Sequence, residues 1–354
     1  MSLRRVQVTD FRCLQSVNLE LDSKFTLISG ANASGKTSLL EALYVLGRGR
    51  SFRTRRLEHL IRHGRDRFVV FGEVDSFDRR VSLGVEGSAA GIRGQVAGAR
   101  AASLAELAAF LPVQIIDPEI HRLIEEGPGR RRRFLDWGVF HVEPRFVEHW
   151  QRFQLTLKQR NAALKSRQPH ALATAWDADL VRCGEFLSQA RGRYVELLAA
   201  QANSIVRNLL GMALSIAYRP GWAKGLTLAE ALQQSWNHDQ ESGHTQVGPH
   251  RAELSIRLNE LSVKDRISRG QQKLLAAGLL MAQIKLFPES APVQPSLLLD
   301  DPAAELDNSR LTRLIDEVSS QSVQLVVTTL HPEFSEFGTP GLQYRIEEGA
   351  VRLA

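Results

Sequence analysis

The sequence predicts an α/β fold in which a mixed parallel sheet stands beside an antiparallel β-subdomain, with a helical second lobe inserted between the two halves of the sheet-bearing head. Three observations lead there. The apolar run Phe25-Thr26-Leu27-Ile28 ends in a glycine-rich turn that passes straight into an amphipathic helix. A second apolar run, Ser296 to Leu299, ends far down the chain in Asp300-Asp301. Between them, from about Glu119 to Gly243, the hydrophobic pattern changes from alternation to helical spacing.

In chain order, the alternating Val6 and Val8, then Val17, Leu19 and Leu21, then the run at Phe25 mark strands. Leu39, Leu43 and Leu46 share one helical face, and Gly47 offers a stop just beyond them. Further strands are expected over 68–74 and 80–85, followed by a glycine- and alanine-rich stretch over 91–102. The helical part carries Phe146, Trp150, Phe153 and Leu157 at threes and fours after Pro144, then a second helix from Trp176 to Leu210. Helices of roughly 30 residues reach about 45 Å at 1.5 Å per residue, the size of a lobe or short arm. Strand alternation returns from Ala252 to Leu258. The expected organisation is one head half over 1–118, a helical lobe over 119–244 and the other head half over 245–354.

The 354 residues, 43% hydrophobic and 24% charged, suffice for a substantial core in two lobes. Cys13 and Cys183 are the only cysteines and lie outside any metal-ligand spacing, which argues against a disulfide framework or structural zinc and fits the reducing cytoplasm. No apolar run approaches membrane-spanning length, so no membrane partner is expected. The net charge of +6 favours a polyanionic partner. Two clusters concentrate it: Arg50, Arg53, Arg55, Arg56, Arg62 and Arg65, lying between Arg48 and Arg67 against only Glu58 and Asp66, and the run Arg130-Arg131-Arg132-Arg133. Each is either a contact to a phosphate backbone or a solvated, ion-paired face.

The segment Gly30-Ala31-Asn32-Ala33-Ser34-Gly35-Lys36-Thr37 fits GxxxxGK(S/T) between a strand and a helix, the Walker A context. Backbone amides from Gly30 to Ser38 can turn inward around the phosphates of ATP, with the helix N-terminus adding partial positive charge. Lys36 supplies a full charge to the β- and γ-phosphates, and the Thr37 hydroxyl is a ligand for Mg²⁺. The run ending in Asp300-Asp301 has the form of a Walker B strand. There Asp300 holds Mg²⁺ and Asp301 orients or deprotonates the attacking water.

Upstream of that strand, Ile267-Ser268-Arg269-Gly270-Gln271-Gln272-Lys273 is similar to the LSGGQ signature that separates ABC-type ATPases from other P-loop proteins. Ser268 is a good N-cap for a helix, and Gly270 lets its amide approach a phosphate; Gln271 follows in the same turn. Ala304-Glu305-Leu306-Asp307 looks like a D-loop. His331 is either the switch histidine that senses the γ-phosphate or a surface residue at a strand end. Gln114 is either the Q-loop glutamine, near the metal, or a polar strand residue.

With those residues in hand, the chain resembles the RecF family of bacterial recombination mediators along nearly its whole length. The resemblance rests on Thr37-Ser38-Leu39-Leu40-Glu41-Ala42, Gly49-Arg50-Ser51-Phe52-Arg53, and Gly127-Pro128 followed by Arg131-Arg132 and Phe134-Leu135-Asp136. Gln159-Arg160-Asn161 and Gly248-Pro249-His250-Arg251 extend it. It implies an ABC-type P-loop ATPase head that dimerises with two ATP molecules sandwiched between Walker A of one subunit and the signature of the other. It further implies a weak, DNA-stimulated ATPase that binds duplex DNA and single-strand to double-strand junctions and leaves on hydrolysis; in this sequence Arg50, Arg53, Arg55, Arg56, Arg131 and Arg132 of the two charged clusters are the expected contacts. RecR and RecO are the implied partners, placing RecA on gapped DNA in repair, replication restart and the SOS response. Ala304, where the family often has serine, removes a hydroxyl from the dimer face. Two other functions compete: an ATP-binding scaffold that recruits RecR, and a defence-type ABC ATPase with a toxin or nuclease partner. The RecF-like segments disfavour the latter.

Overall fold

A computed structural model of the chain describes residues 2–76, 79–263, 267–288, 291, 293–304, 308–334 and 336–354. The chain forms two compact units, one of Met1–Ile120 with Phe287–Ala354 and one of His121–Leu286. The first unit begins with β1 (Leu3–Phe11), β2 (Leu14–Glu20), β3 (Phe25–Ser29) and helix α1 (Lys36–Arg48). It continues through β4 (Arg67–Ser76), β5 (Arg79–Ser88), β6 (Gly91–Val96), β7 (Ala99–Arg100), α2 (Leu104–Phe110) and β8 (Val113–Ile116). The second unit holds α3 (Arg122–Glu125), α4 (Pro128–Val142), α5 (Phe146–Lys165), α6 (His170–Ala173), α7 (Asp177–Leu210), β9 (Leu214–Arg219), α8 (Leu228–Ser242), β10 (Glu253–Leu258), β11 (Leu261–Ser262) and α9 (Arg269–Lys285). The chain then returns to the first unit with β12 (Ser296–Asp300), α10 (Asn308–Ser319), β13 (Gln324–Thr329), β14 (Leu342–Glu347) and β15 (Ala350–Leu353).

Two sheets build the first unit, as the sequence predicts. One is antiparallel in the order β2-β1-β4-β5-β6-β7, and its alternating residues bury Val6, Val8, Phe68, Val70, Val81, Leu83 and Val85 on one face. The other runs β15-β14-β3-β13-β12-β8, parallel from β14 to β8 with β15 antiparallel at the edge. Its central strands β3, β13 and β12 are buried at every position, as parallel strands covered on both faces must be. Helix α1 is buried almost all round, through Leu39, Leu40, Leu43, Val45 and Leu46. It does not stop at Gly47. A Cβ there would lie 2.5 Å from the Leu111 carbonyl oxygen, so the glycine serves a close helix contact. The stop is Gly49, left-handed at φ 60°.

In the second unit α7 spans 34 residues, about 51 Å at 1.5 Å per residue. The buried stripe of α5 runs through Phe146, His149, Phe153, Leu157, Arg160 and Leu164, and Trp150 lies outside it at 38% exposure. The unit also differs from a purely helical lobe. Leu214, Ile216 and Tyr218 alternate in β9, which pairs antiparallel with β10 from Leu214 opposite Leu258 to Arg219 opposite Glu253. Residues 245–286, expected with the head, belong here instead. β10 needs β9 as its partner, and α9 packs on α7 so closely that a Cβ at Gly278 would lie 2.9 Å from Val206. The boundary expected after residue 244 therefore falls at Leu286.

Several sequence runs of this unit are internal ties. Fully buried Arg160 donates to Asp177 at 2.7 Å and to Asp239 and Thr245 at 2.8 Å, and Asn161 accepts from the Thr245 amide at 2.8 Å. Arg191 joins Asp136 at 2.8 Å and donates to the Pro249 carbonyl at 2.7 Å. His250 Nε2 meets the Thr245 carbonyl at 2.9 Å, and burial pushes its pKa down to about 4, so the ring stays neutral. Breaking one member of such a buried charge network costs about 3–5 kcal/mol, because the partner charge is left uncompensated.

Candidate nucleotide-binding site

The carboxyl ends of three adjacent parallel strands meet in the first unit. Thr329 of β13 lies opposite Ser29 of β3, and Thr328 lies opposite Asp300 of β12. This is the end of an α/β sheet where ligands bind. From Ser29 the chain enters the Walker A loop. Gly30 donates its amide to the Thr329 carbonyl at 3.2 Å, and a Cβ on Gly30 would lie 2.4 Å from the Ile346 carbonyl oxygen. Ala33 is left-handed at φ 62° and Gly35 at φ 110°, the turn that brings the loop into α1. Ser34 is buried, and its hydroxyl has no hydrogen-bond partner, an unmet polar group within the loop. A cleft of about 1190 Å³ opens beside Gly30 to Ser34, with Pro332, Arg345 and Glu348 in its walls.

Lys36 lies across its own loop, donating to the carbonyls of Gly30 at 2.7 Å and Ala31 at 2.8 Å. Burial lowers its pKa, while the facing charges of Asp301 and Asp300 raise it. Thr37 donates its hydroxyl to Asp300, 2.8 Å from Oδ2. Thr328 donates to the other oxygen of that carboxylate at 2.8 Å, fixing it between two hydroxyls. A hydroxyl and one carboxylate are the small oxygen set that Mg²⁺ takes from a protein when phosphates supply the rest, so these residues fit the ion. Asp301 follows with φ 47°, its amide donating to the Thr328 carbonyl at 3.1 Å. A left-handed aspartate costs about 1–3 kcal/mol and persists only where its surroundings hold it.

His331 lies just past β13, exposed, with its amide on Thr329 Oγ1 at 3.1 Å. It is therefore at the same sheet end as Walker A. Gln114 is not. It pairs with Leu297, three residues before Asp300 on the neighbouring strand, about 10 Å short along the strand at 3.3 Å per residue. It is a buried strand residue, which resolves the two alternatives against a metal role. The signature residues lie in the second unit, where Ser268 and Gln271 form a reciprocal capping box at the start of α9: the Ser268 hydroxyl accepts from the Gln271 amide, and the Gln271 side chain accepts from the Ser268 amide at 2.9 Å. Gln271 thus has its side chain turned back to the cap, and Gly270 is half-buried in the first turn. Of the expected D-loop, Glu305, Leu306 and Asp307 lie outside the described residues.

The two arginine clusters separate. Arg50, Arg53, Arg55 and Arg56 follow α1 directly and are exposed. Arg131 and Arg132, expected on DNA, are turned inward. Arg131 grips Glu253 with two hydrogen bonds, at 2.7 and 2.8 Å, and donates to the carbonyls of Ile124 and Glu126. Arg132 donates to the Ala252 carbonyl at 2.8 Å, and Arg130 grips Glu126. A helix start carrying four arginines reads from sequence as a polyanion site, but their partners come from as far as 122 residues away.

Sequence reasoning assigned no role to Glu41 or to the turn at Asp10 to Cys13. Both adjoin the nucleotide loop. Cys13 Sγ is 3.6 Å from the Ser38 hydroxyl, and Leu14 and Cys13 close over Gly35. Glu41 is fully buried in a helix otherwise apolar at its neighbouring positions, and that contrast was the available signal.

The family described as the RecF/RecN/SMC N terminal domain matches residues 2–348. The DNA replication and repair protein RecF of Yersinia pseudotuberculosis is 37% identical over 357 residues, covering 100% of this chain and 99% of that protein. A solved structure of the recombination mediator protein RecF-ATP in the RecFOR pathway superposes with a TM-score of 0.90 at 27% identity, over 100% of this chain and 97% of that one. The Smc head domain with an extended coiled coil from Pyrococcus furiosus superposes at 0.60 with 17% identity, over 100% and 96%, and shares the fold. Among the described residues no helix is long and apolar enough to cross a membrane.

Proposed function

The chain belongs to the RecF family within the RecF/RecN/SMC group, and from that premise we propose that it is an ATP-gated DNA clamp of replication and repair whose nucleotide site is completed by a second copy of itself. The observation that carries this is the convergence of Lys36, Thr37, Asp300 and Asp301 in the first unit, while the exposed helix start at Ser268 belongs to the second. Lys36 moves from its own loop carbonyls to the phosphates of ATP, with the amides of Gly30 to Ser38 around them. Thr37 and Asp300 would hold Mg²⁺, which would supply neutralisation of the phosphate charge. Asp301 orients the attacking water and takes its proton as ADP and phosphate form, and His331 reads the γ-phosphate. In the ATP dimer, Ser268 and Gly270 of one copy close over the nucleotide of the other. Gln271 supports that surface through its capping bond.

The dimer holds duplex DNA and single-strand to double-strand junctions by their phosphates, and slow hydrolysis, stimulated by DNA, releases it. RecR and RecO are its proposed partners in placing RecA on gapped DNA, in the cytoplasm, during repair, replication restart and the SOS response. Among the arginines, the exposed set after α1 makes the backbone contacts and the Arg131-Arg132 pair is structural. The test is the salt dependence of duplex binding in ATP. Each lost phosphate contact flattens the logarithmic slope by about 0.9. Arg55→Ala is expected to flatten it by that amount, and Arg131→Ala to leave it unchanged while lowering thermal stability. The opposite pattern would return the DNA surface to the start of α4.

A further inference from the structure

The buried carboxylate of Glu41 joins two segments that the proposed function uses separately. Glu41 lies one helical turn beyond Thr37 on α1, with no exposed surface. Its two oxygens receive four donors: Arg12 Nε at 2.9 Å and Nη2 at 2.8 Å, the Ser51 hydroxyl, and Arg53 Nη1 at 3.3 Å. Two oxygens offer about four lone-pair sites, so the group is saturated, and a donor that moves must be compensated by the others. The donors come from two separate segments of the chain. Arg12 belongs to the turn that closes on Gly35 and Ser38, held between left-handed Asp10 and its own left-handed backbone at φ 51° and 54°. Ser51 and Arg53 begin the exposed arginine segment, and the Ser51 hydroxyl also accepts from the amides of Arg53 at 2.9 Å and Thr54 at 3.0 Å, which sets the path of that segment. The rings of Tyr44 and Phe52, 5.4 Å apart and edge to face, tie the same segment to α1.

We propose that Glu41 is a positioning residue that transmits the state of the nucleotide loop to the arginine segment, through the shared carboxylate of the Arg12–Glu41–Arg53 cluster. When phosphates draw Lys36 away from the Gly30 and Ala31 carbonyls, the loop under Cys13 and Leu14 rearranges and Arg12 moves with its turn. Glu41 then redistributes its hydrogen bonds among Ser51 and Arg53. Arg53 is 45% exposed and reaches both the carboxylate and solvent, so its guanidinium is either held by Glu41 or offered to a DNA phosphate. Coupling between two ligands is reciprocal, so DNA that draws Arg53 outward changes the affinity for ATP by the same factor.

This inference rests on the proposed binding of DNA by the exposed arginines, and its test separates the two. Duplex affinity is measured for the full chain with and without ATP at several salt concentrations, for the parent, Arg53→Ala, Arg55→Ala and Glu41→Gln. Both arginine variants are expected to flatten the salt slope by about 0.9. Only Arg53→Ala and Glu41→Gln are expected to lower the ratio of affinities with and without ATP, the remainder being supplied by dimer closure, with an equal loss in the effect of DNA on ATP affinity. If Glu41 serves stability alone, Glu41→Gln lowers the melting temperature and both affinities while that ratio persists, and the proposal is wrong. An unchanged ratio in Arg53→Ala overturns it too, whether or not Glu41→Gln folds. A parent chain whose duplex binding ignores ATP overturns the clamp function and the coupling together.

Discussion

Lys36→Met abolishes the increase in DNA affinity that ATP brings to the parent chain. The ammonium is the only full positive charge that the Walker A loop places among its own carbonyls, and it has two aspartates facing it. Truncating one partner of a desolvated charge pair costs about 2–5 kcal/mol, which is about 30-fold or more in ATP affinity. Methionine keeps the apolar stem and loses the charge, so the loop retains its packing. The expected outcome in fluorescence anisotropy is a duplex affinity in ATP equal to that without nucleotide, with calorimetry showing the loss of ATP binding. A variant that tightened on DNA in ATP as the parent does would mean that the nucleotide is not the gate.

Asp301→Asn slows hydrolysis and leaves the ATP-bound state standing. Removing a general base lowers the rate by about 100- to 10,000-fold. The substitution is unusually clean here because Asp301 is left-handed at φ 47°, a conformation that asparagine tolerates better than most residues. The bond from its amide to the Thr328 carbonyl is kept. In a phosphate-release assay the turnover number falls by at least about 100-fold, while ATP affinity is retained and the DNA complex lives longer. Turnover within threefold of the parent would assign the water to another residue.

How much of this was legible in the sequence depends on how local the determining contacts are. The Walker A loop, the strand before it and the helix after it are set within a dozen residues, and sequence placed them correctly, as it did the Asp300-Asp301 strand end and the Ser268 cap. The end of α1 was misplaced by two residues. Gly47 and Gly49 look alike in sequence, and only the Leu111 backbone packed against α1 shows which one is there for contact. Strand β9 was missed although Leu214, Ile216 and Tyr218 alternate, since six residues between two helices carry little weight without the partner β10. That same pairing moves residues 245–286 out of the head. Arg131 shows the limit on the functional side: its partner Glu253 lies 122 residues away, so composition marked a charged run without saying which way it turns. Glu41 is the converse, a carboxylate quoted in a family motif whose role emerges only when Arg12 and Arg53 are brought to it.

The central claim is that two copies of the chain close on ATP and hold DNA between them. Sedimentation velocity of the full chain, with and without ATP and a gapped duplex, at two salt concentrations, tests it most directly. The account predicts a monomer without nucleotide, a dimer in ATP, and co-sedimentation of that dimer with the duplex that weakens at the higher salt. A chain that stays monomeric in saturating ATP, or that binds the duplex equally as a monomer without it, would contradict the account.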